Sequence, residues 1–248
     1  MRVSKNLILL LLFFIASQTS YAQGTIPIVT STGLQNGGTE YSLTLQLLGL
    51  MTVLTLLPSL VLMMTSFTRI IIVLSLLRQA LGTAQTPPNQ VLLGIALFLT
   101  IFIMSPVYET INEKAIKPYM NDDIVLETAL DEAQKPLREF MVKQTREDDI
   151  VTFSKLLSDD VTFNTPDDLP LSLLVPAFIT SELKSAFTIG FMLYIPFVVI
   201  DLVVASILMS MGMMMLSPMM ISMPFKLLLF VMVDGWNLLI GSLAGSFA

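Results

Sequence analysis

The sequence predicts an all-α integral membrane protein built from apolar helical hairpins, with a small acidic helical segment between them. Three observations predict this class. Hydrophobic residues make up 54% of the 248-residue chain and charged residues only 13%, whereas about 25% of the residues in an ordinary soluble domain are charged. The apolar residues are concentrated in runs of membrane-helix length. One acidic stretch, residues 107–170, separates those runs into two groups.

The composition also excludes several kinds of function. The chain has no cysteine and no histidine, which excludes disulfides and thiolate metal sites and removes the commonest metal ligand and general base. It carries no G-x-x-x-x-G-K-[ST] phosphate-binding loop. Its formal charge of −6 argues against a nucleic-acid partner, which requires a basic face. We therefore expect a protein that is not an enzyme and binds no cofactor or metal.

Residues 1–22 have the pattern of a cleaved signal peptide. Two basic residues precede a nine-residue apolar run, which is too short to span a bilayer as a helix. Small residues then stand at the two positions that signal peptidase reads, the second of them Ala22. We predict cleavage between Ala22 and Gln23, and the alternative is an uncleaved N-terminal anchor.

The remaining chain divides into four parts. A loose arm rich in small and polar residues (23–42) is followed by a first hydrophobic helical hairpin (43–106). The acidic segment (107–170) comes next, and a second hydrophobic helical hairpin with a methionine-rich loop (171–248) ends the chain. The distribution of apolar runs and of Gly, Pro and polar breaks sets these boundaries.

The acidic segment is predicted to be soluble and to lie outside the cytoplasm. It contains 15 acidic and 7 basic residues, a net charge of −8, and its pattern predicts a helix around Val125–Met141. A cleaved signal peptide places the arm outside, so the first span brings Arg69 and Arg78 to the cytoplasm, where basic residues are favoured. The second span then returns the acidic segment to the outer side, and the tip of the last hairpin, near Lys226, faces the cytoplasm.

Glu182 and Lys184 are unusual because they lie within an apolar helical run. Charges in such a run are costly and usually face a bundle interior or an aqueous cavity. The two residues lie on roughly opposite sides of a helix and cannot pair with each other. Each therefore requires a partner from another element or another subunit, unless both lie just outside the bilayer at the helix entrance.

Asp201 and Lys226 are positioned to meet across the last hairpin. If the hairpin tip is near Met213, Asp201 lies 12 residues before it and Lys226 lies 13 residues after it. In a symmetric hairpin the two side chains reach similar depth. We expect an ion pair that sets the hairpin register or joins adjacent subunits, and the alternative is two unrelated interfacial charges.

Two glycines near the end of the chain suggest close helix packing. Gly241 and Gly245 have the small-xxx-small spacing that lets two helices approach closely in a membrane.

A methionine cluster occupies the predicted hairpin tip. Eight of the fifteen residues in 209–223 are methionine, and the centre of the cluster comprises Met211, Met213, Met214 and Met215. Methionine is flexible and fills irregular gaps, so an adaptable core is the ordinary interpretation. A turn should be polar, however, and a flexible apolar loop repeated around a ring would form a deformable seal that gates by excluding water.

Three long blocks carry a family resemblance. They are SFTRIIIVLSLLRQALGTAQTPPNQVLLGIALFLT, LLVPAFITSELKSAFTIGFMLYIPFVVIDLVVASILMSMGMMMLSP and PFKLLLFVMVDGWNLLIGSLAGSF. The sequence resembles the FliP family of the flagellar type III export apparatus and, more distantly, its counterparts in virulence injectisomes. The blocks cover most of the chain after residue 42, whereas the arm and much of the acidic segment match loosely.

The resemblance implies a role and a set of partners. It implies a core subunit of the protein-export gate in the bacterial inner membrane and flagellar basal body. Five copies would assemble with FliQ and FliR, and with other membrane proteins of the export apparatus, into a closed helical pore. Unfolded flagellar subunits would pass through this pore, and a Met-rich loop matching Met213, Met214 and Met215 would close it. The family's helices bend and stand largely above the membrane plane in the finished assembly, so simple four-span topology would describe insertion rather than the final state.

Two other functions fit less well. A small oligomeric ion channel or a solute carrier is the first alternative, but carriers often show internal repeats, and the two hydrophobic regions show no convincing one. A channel would also require a polar filter, whereas the concentrated loop feature here is apolar. An intramembrane enzyme using Glu182, Asp201 or Asp234 as acids is the second, and no companion motif supports it.

Overall fold

The computed structural model describes residues 41–83, 85–157, 169–213 and 215–247. The predicted signal peptide, its cleavage site and the arm up to residue 40 lie outside the described residues, as does Met214. The chain divides into two units, Met1–Leu56 and Leu57–Ala248. In the first unit the structure describes the beginning of one apolar helix.

The described residues form helices and no strands, which confirms the prediction of an all-α protein. In chain order the helices are α1 (Tyr41–Met63), α2 (Phe67–Ala80), α3 (Asn89–Ile103), α4 (Ser105–Ile111), a π-helical turn (Asn112–Ile116), α5 (Lys117–Met120), α6 (Leu126–Gln144), α7 (Glu147–Leu157), α8 (Leu171–Ser210), α9 (Pro218–Met232) and α10 (Gly235–Gly245).

Helix α2 is the centre of the larger hydrophobic core. Its buried side chains include Ile70, Val73, Leu74 and Leu77. They pack against α3, α8 and the C-terminal pair α9 and α10, which contribute to the same core Leu92, Ala96, Leu99, Ala186, Phe197, Phe230, Leu239 and Leu243. An apolar helix surrounded by apolar helices gains stability from burial on several sides rather than from one amphipathic stripe.

Helices α2 and α8 run in the same direction. Arg69 near the start of α2 contacts Glu182, and Leu76 farther along α2 lies against Gly190 of α8. A Cβ atom at Gly190 would lie 2.2 Å from Leu76 Cδ1. The absence of a side chain at Gly190 therefore allows the two helices to approach closely at this point.

The first apolar run is two helices rather than one. Helix α1 ends at Met63 and α2 begins at Phe67. The hydroxyl of Thr65 donates to the carbonyl of Leu62 at 2.7 Å and accepts from the Phe67 amide at 3.3 Å. A threonine side chain thus takes over backbone hydrogen bonds at the break, which is how such residues compete with helix continuation.

The last apolar run is also interrupted. The backbone of Asp234 adopts φ 50°, ψ 52° between α9 and α10, and the two helices meet at 66°. The following residue must be glycine, because a Cβ atom at Gly235 would lie 2.3 Å from the Phe230 ring. The periodicity of the apolar residues did not show this break, since the sequence stays apolar on both sides of it.

A second, smaller core joins the acidic segment to the start of α8. Met141 of α6 is buried with Leu173, Leu174 and Phe178 of α8. Helix α6 ends at Gln144, three residues beyond the predicted helix of Val125–Met141. The acidic segment therefore folds onto the apolar helices through its own hydrophobic contacts.

Within the described residues, α8 is a single helix that is long and apolar enough to cross a membrane. Its 40 residues correspond to about 60 Å at 1.5 Å per residue. Three bent helix pairs meet the same criterion when each pair is taken as one broken span, which gives up to four candidates by length and composition.

Candidate functional site

The structure brings charged residues together at both ends of α2. One group, the Arg69 cluster, consists of Arg69, Gln144, Glu182, Ser246 and Phe247. The other, the Lys226 cluster, consists of Lys226, Asp201, Ser222 and the backbone carbonyl of Ala80.

Arg69 and Glu182 form a buried ion pair. The exposed fraction is 4% for Arg69 and 0% for Glu182. Arg69 Nε donates to Glu182 Oε2 at 2.9 Å, and a second guanidinium nitrogen donates to Glu182 Oε1. This two-point contact matches the planar fork of the guanidinium to the carboxylate. Glu182 therefore has its partner on another element of the same chain.

Lys184 lies differently from Glu182. Its side chain is exposed on α8, whereas Glu182 is completely buried. The helix places residues two apart on roughly opposite sides, so one faces α2 and the other faces away from this core. A contact of Lys184 with another subunit stays a prediction.

Lys226 is a buried cation that joins three helices. Its Nζ donates to Asp201 Oδ2 of α8 at 2.6 Å and to the carbonyl of Ala80, the last residue of α2, at 3.1 Å. Ser222, one turn before Lys226 in α9, donates its hydroxyl to Asp201 Oδ1. A cation at a helix C-terminus is favourable because the last carbonyls carry partial negative charge.

The Lys226 cluster lies within the hairpin that the methionine-rich turn closes. The structure thus brings Asp201 and Lys226 into contact, and the turn between α8 and α9 covers residues 211–217. The other hairpin turn is close by, since a Cβ atom at Gly82 would lie 3.7 Å from Met219 Cγ. The suggested roles in register and in subunit contacts stay predictions.

Two methionine side chains at the turn are exposed in the single chain. Met211 is 66% exposed and Met215 is fully exposed, whereas Met213 is half-buried. Gly212 has φ +74° at the start of the turn, a conformation that glycine adopts without strain. The structure therefore places an apolar, flexible set of side chains at a hairpin tip rather than in a core.

Gly241 and Gly245 face open space in the described part of the chain. A Cβ atom added at either residue would meet no described atom within 4 Å. The close helix approaches that the structure does show involve Gly190 and Gly235. Close helix packing at Gly241 and Gly245 would require a second chain, and it stays a prediction.

Sequence reasoning missed Arg69 as a site residue and missed the C-terminal segment. Arg69 was interpreted only as an indicator of orientation. The signal that could have identified Arg69 is its place in an apolar run. A buried cation requires an anion as its partner, and Glu182 is a carboxylate in an apolar run that also requires a partner. In the described parts of the chain, no group of three or more Asp, Glu, His or Cys side chains is arranged to hold a metal ion.

Comparisons with known proteins agree with the resemblance found in the sequence. The model of the FliP family matches residues 50–243. A flagellar biosynthetic protein FliP from Pectobacterium carotovorum is 56% identical over 222 residues, which cover 90% of this chain and 86% of that protein. The relatives of the same name from Cereibacter sphaeroides and Bacillus subtilis are 56% and 54% identical, over 85% and 83% of this chain and 70% and 93% of theirs. The matched region includes both charge clusters apart from Ser246 and Phe247, and it includes the methionine-rich turn. The chain belongs to the FliP family.

Proposed function

We propose that this chain is a pore-forming core subunit of the flagellar type III export gate, which passes unfolded flagellar subunits across the bacterial inner membrane. Membership of the FliP family carries the proposal, since its relatives are named flagellar biosynthetic proteins. The role is one of transport and not of catalysis. The acidic segment lies on the periplasmic side in this proposal.

The exposed apolar surface supports assembly with other chains. Large apolar side chains on α8 are exposed, among them Phe187, Phe191 and Met192. Such surface requires lipid or protein to cover it. We assign part of it to contacts among about five copies of this chain and to FliQ and FliR. Native mass spectrometry of the complex purified with both partners tests this, and a complex with one copy of this chain would refute it.

The methionine-rich turn is the proposed closing element. When copies are arranged around an axis, the turns of neighbouring copies bring Met211, Met213, Met214 and Met215 together. Unbranched methionine side chains can pack against one another and still yield to a passing chain. The packed side chains would exclude water and ions from the constriction.

The test replaces Met213, Met214 and Met215 with alanine in the full assembly. Ion leakage across the membrane and export of flagellar subunits are measured together. We expect increased leakage with export retained, because the smaller side chains leave a gap without removing the path. The matched control replaces three exposed methionines away from the turn and from the exposed face of α8, Met51, Met120 and Met232.

Unchanged leakage in a correctly assembled turn variant would refute the proposed seal. It would leave the family assignment intact, since that assignment depends on the sequence match. Leakage that rises equally in the control variant would also refute the seal, because the effect would then not belong to the turn.

A further inference from the structure

Every donor of the Arg69 guanidinium has a partner. The group has five N–H donors. Nε and one terminal nitrogen each donate to Glu182, and that terminal nitrogen also donates to Gln144 Oε1 at 3.1 Å. The other terminal nitrogen donates to the carbonyl and the hydroxyl oxygen of Ser246, at 2.9 and 3.0 Å. The Phe247 ring covers the guanidinium, with its centroid 3.9 Å from Cζ.

These partners come from separate parts of the chain. Gln144 is the last residue of α6 in the acidic segment, and Ser246 and Phe247 follow α10. The two parts also contact each other directly. Gln144 Nε2 donates to the carbonyl of Phe247 at 3.3 Å, and the rings of Phe140 and Phe247 stack with centroids 6.3 Å apart.

We propose that Ser246–Phe247 is a latch that couples the position of helix α10 to the end of helix α6 through Arg69. When the latch is docked, the buried guanidinium is fully hydrogen-bonded and covered. When it is released, one terminal nitrogen loses both of its partners and the guanidinium loses the ring that covers it. Gln144 loses its hydrogen bond to the Phe247 carbonyl and Phe140 loses its ring contact at the same time, so release also loosens the end of α6 and the turn after it.

The order of the chain gives the latch a role in folding. Arg69, Gln144 and Glu182 all precede Ser246, so the cluster is complete only when the C-terminal segment docks. Docking then adds Ser246 and Phe247 to the end of α6, which its own hydrophobic core already joins to α8. This inference rests on the contacts within one chain and does not depend on the proposed export function.

Hydrogen–deuterium exchange of the full-length protein in detergent micelles tests the latch. The first variant is Phe247→Ala, which removes both ring contacts. We expect amide exchange to become about tenfold faster in two places, the end of α10 and residues 139–147, because the lost stacking and cation–π contacts hold both. Phe98→Ala is the control, since Phe98 is 77% exposed on α3.

The reciprocal variant is Gln144→Ala, which alters the acidic segment and leaves α10 untouched. Coupling between two sites must act in both directions, so exchange in α10 near Ser246 should also become faster, by severalfold. Lys143→Ala, at an exposed neighbouring position, is its control. Faster exchange confined to the mutated segment in either variant would overturn the latch. The mild Gln144 variant keeps the test decisive if Phe247→Ala does not fold.

Discussion

We expect the loss of Asp201 to destabilise the protein more than the loss of Lys226, its partner in the Lys226 cluster. The Lys226 side chain is 2% exposed, whereas that of Asp201 is 27% exposed. Replacing Asp201 with alanine leaves a buried ammonium group whose remaining partner is the Ala80 carbonyl. Replacing Lys226 with methionine, which is similar in length, leaves a carboxylate that reaches solvent and still accepts from Ser222.

The magnitudes follow from which group is left unpaired. A buried charge without its partner costs about 3–5 kcal/mol, so we expect that loss for Asp201→Ala. For Lys226→Met we expect a loss of about 1–3 kcal/mol, the cost of an unsatisfied Ala80 carbonyl at the end of α2. The double variant leaves no buried charge unpaired, so it should be about as stable as Lys226→Met alone.

Unfolding of the full-length variants in detergent, followed by circular dichroism, measures these free energies. The control is Glu139→Gln, which breaks a surface pair with Lys143 whose side chains are both 70% exposed. It should change stability by less than about 1 kcal/mol. Equal losses for the two single variants, which simply add in the double variant, would refute the reasoning, because independent sites add and a coupled pair does not.

Four further predictions concern other positions. Gly190→Ala should lose about 1–3 kcal/mol in the same unfolding assay, because its Cβ atom would lie 2.2 Å from Leu76 Cδ1. Gly241→Ala adds a Cβ atom that meets nothing within 4 Å, so it should leave the isolated chain as stable or slightly more stable. A loss of stability as large as that of Gly190→Ala would contradict the open space beside Gly241. Gly82→Ala should cost about 1–2 kcal/mol because of its φ of +77°, and an unchanged midpoint would argue against that backbone conformation. Mass spectrometry of the protein purified from the membrane should show that the signal peptide has been removed. The Ala22→Arg variant should keep its signal peptide, since the peptidase requires a small residue at this position.

The sequence was most informative where a local pattern has one physical explanation. Long uncharged runs predicted the helical class, and the spacing about the hairpin tip brought Asp201 and Lys226 to similar depth. It was less informative about where helices break. The Thr65 hydroxyl and the left-handed Asp234 interrupt apolar runs whose composition does not change, so hydropathy continues across both breaks.

The partner of Glu182 shows the limit of periodicity. The sequence indicated that this carboxylate requires a partner, since an unpaired buried charge is too costly. It could not choose among the cations, because Arg69 lies 113 residues away along the chain. Only the parallel packing of α2 on α8 brings the two together.

The sequence by itself determined the class of this protein, its family, and the clustering of methionine at a hairpin turn. These are properties of composition and of residues near one another in the chain. The tertiary structure decided which charges meet, which glycine allows two helices to touch, and how residues 246–247 join α6 to α10. Those contacts link distant segments, and they depend on how whole helices pack, which no local pattern specifies.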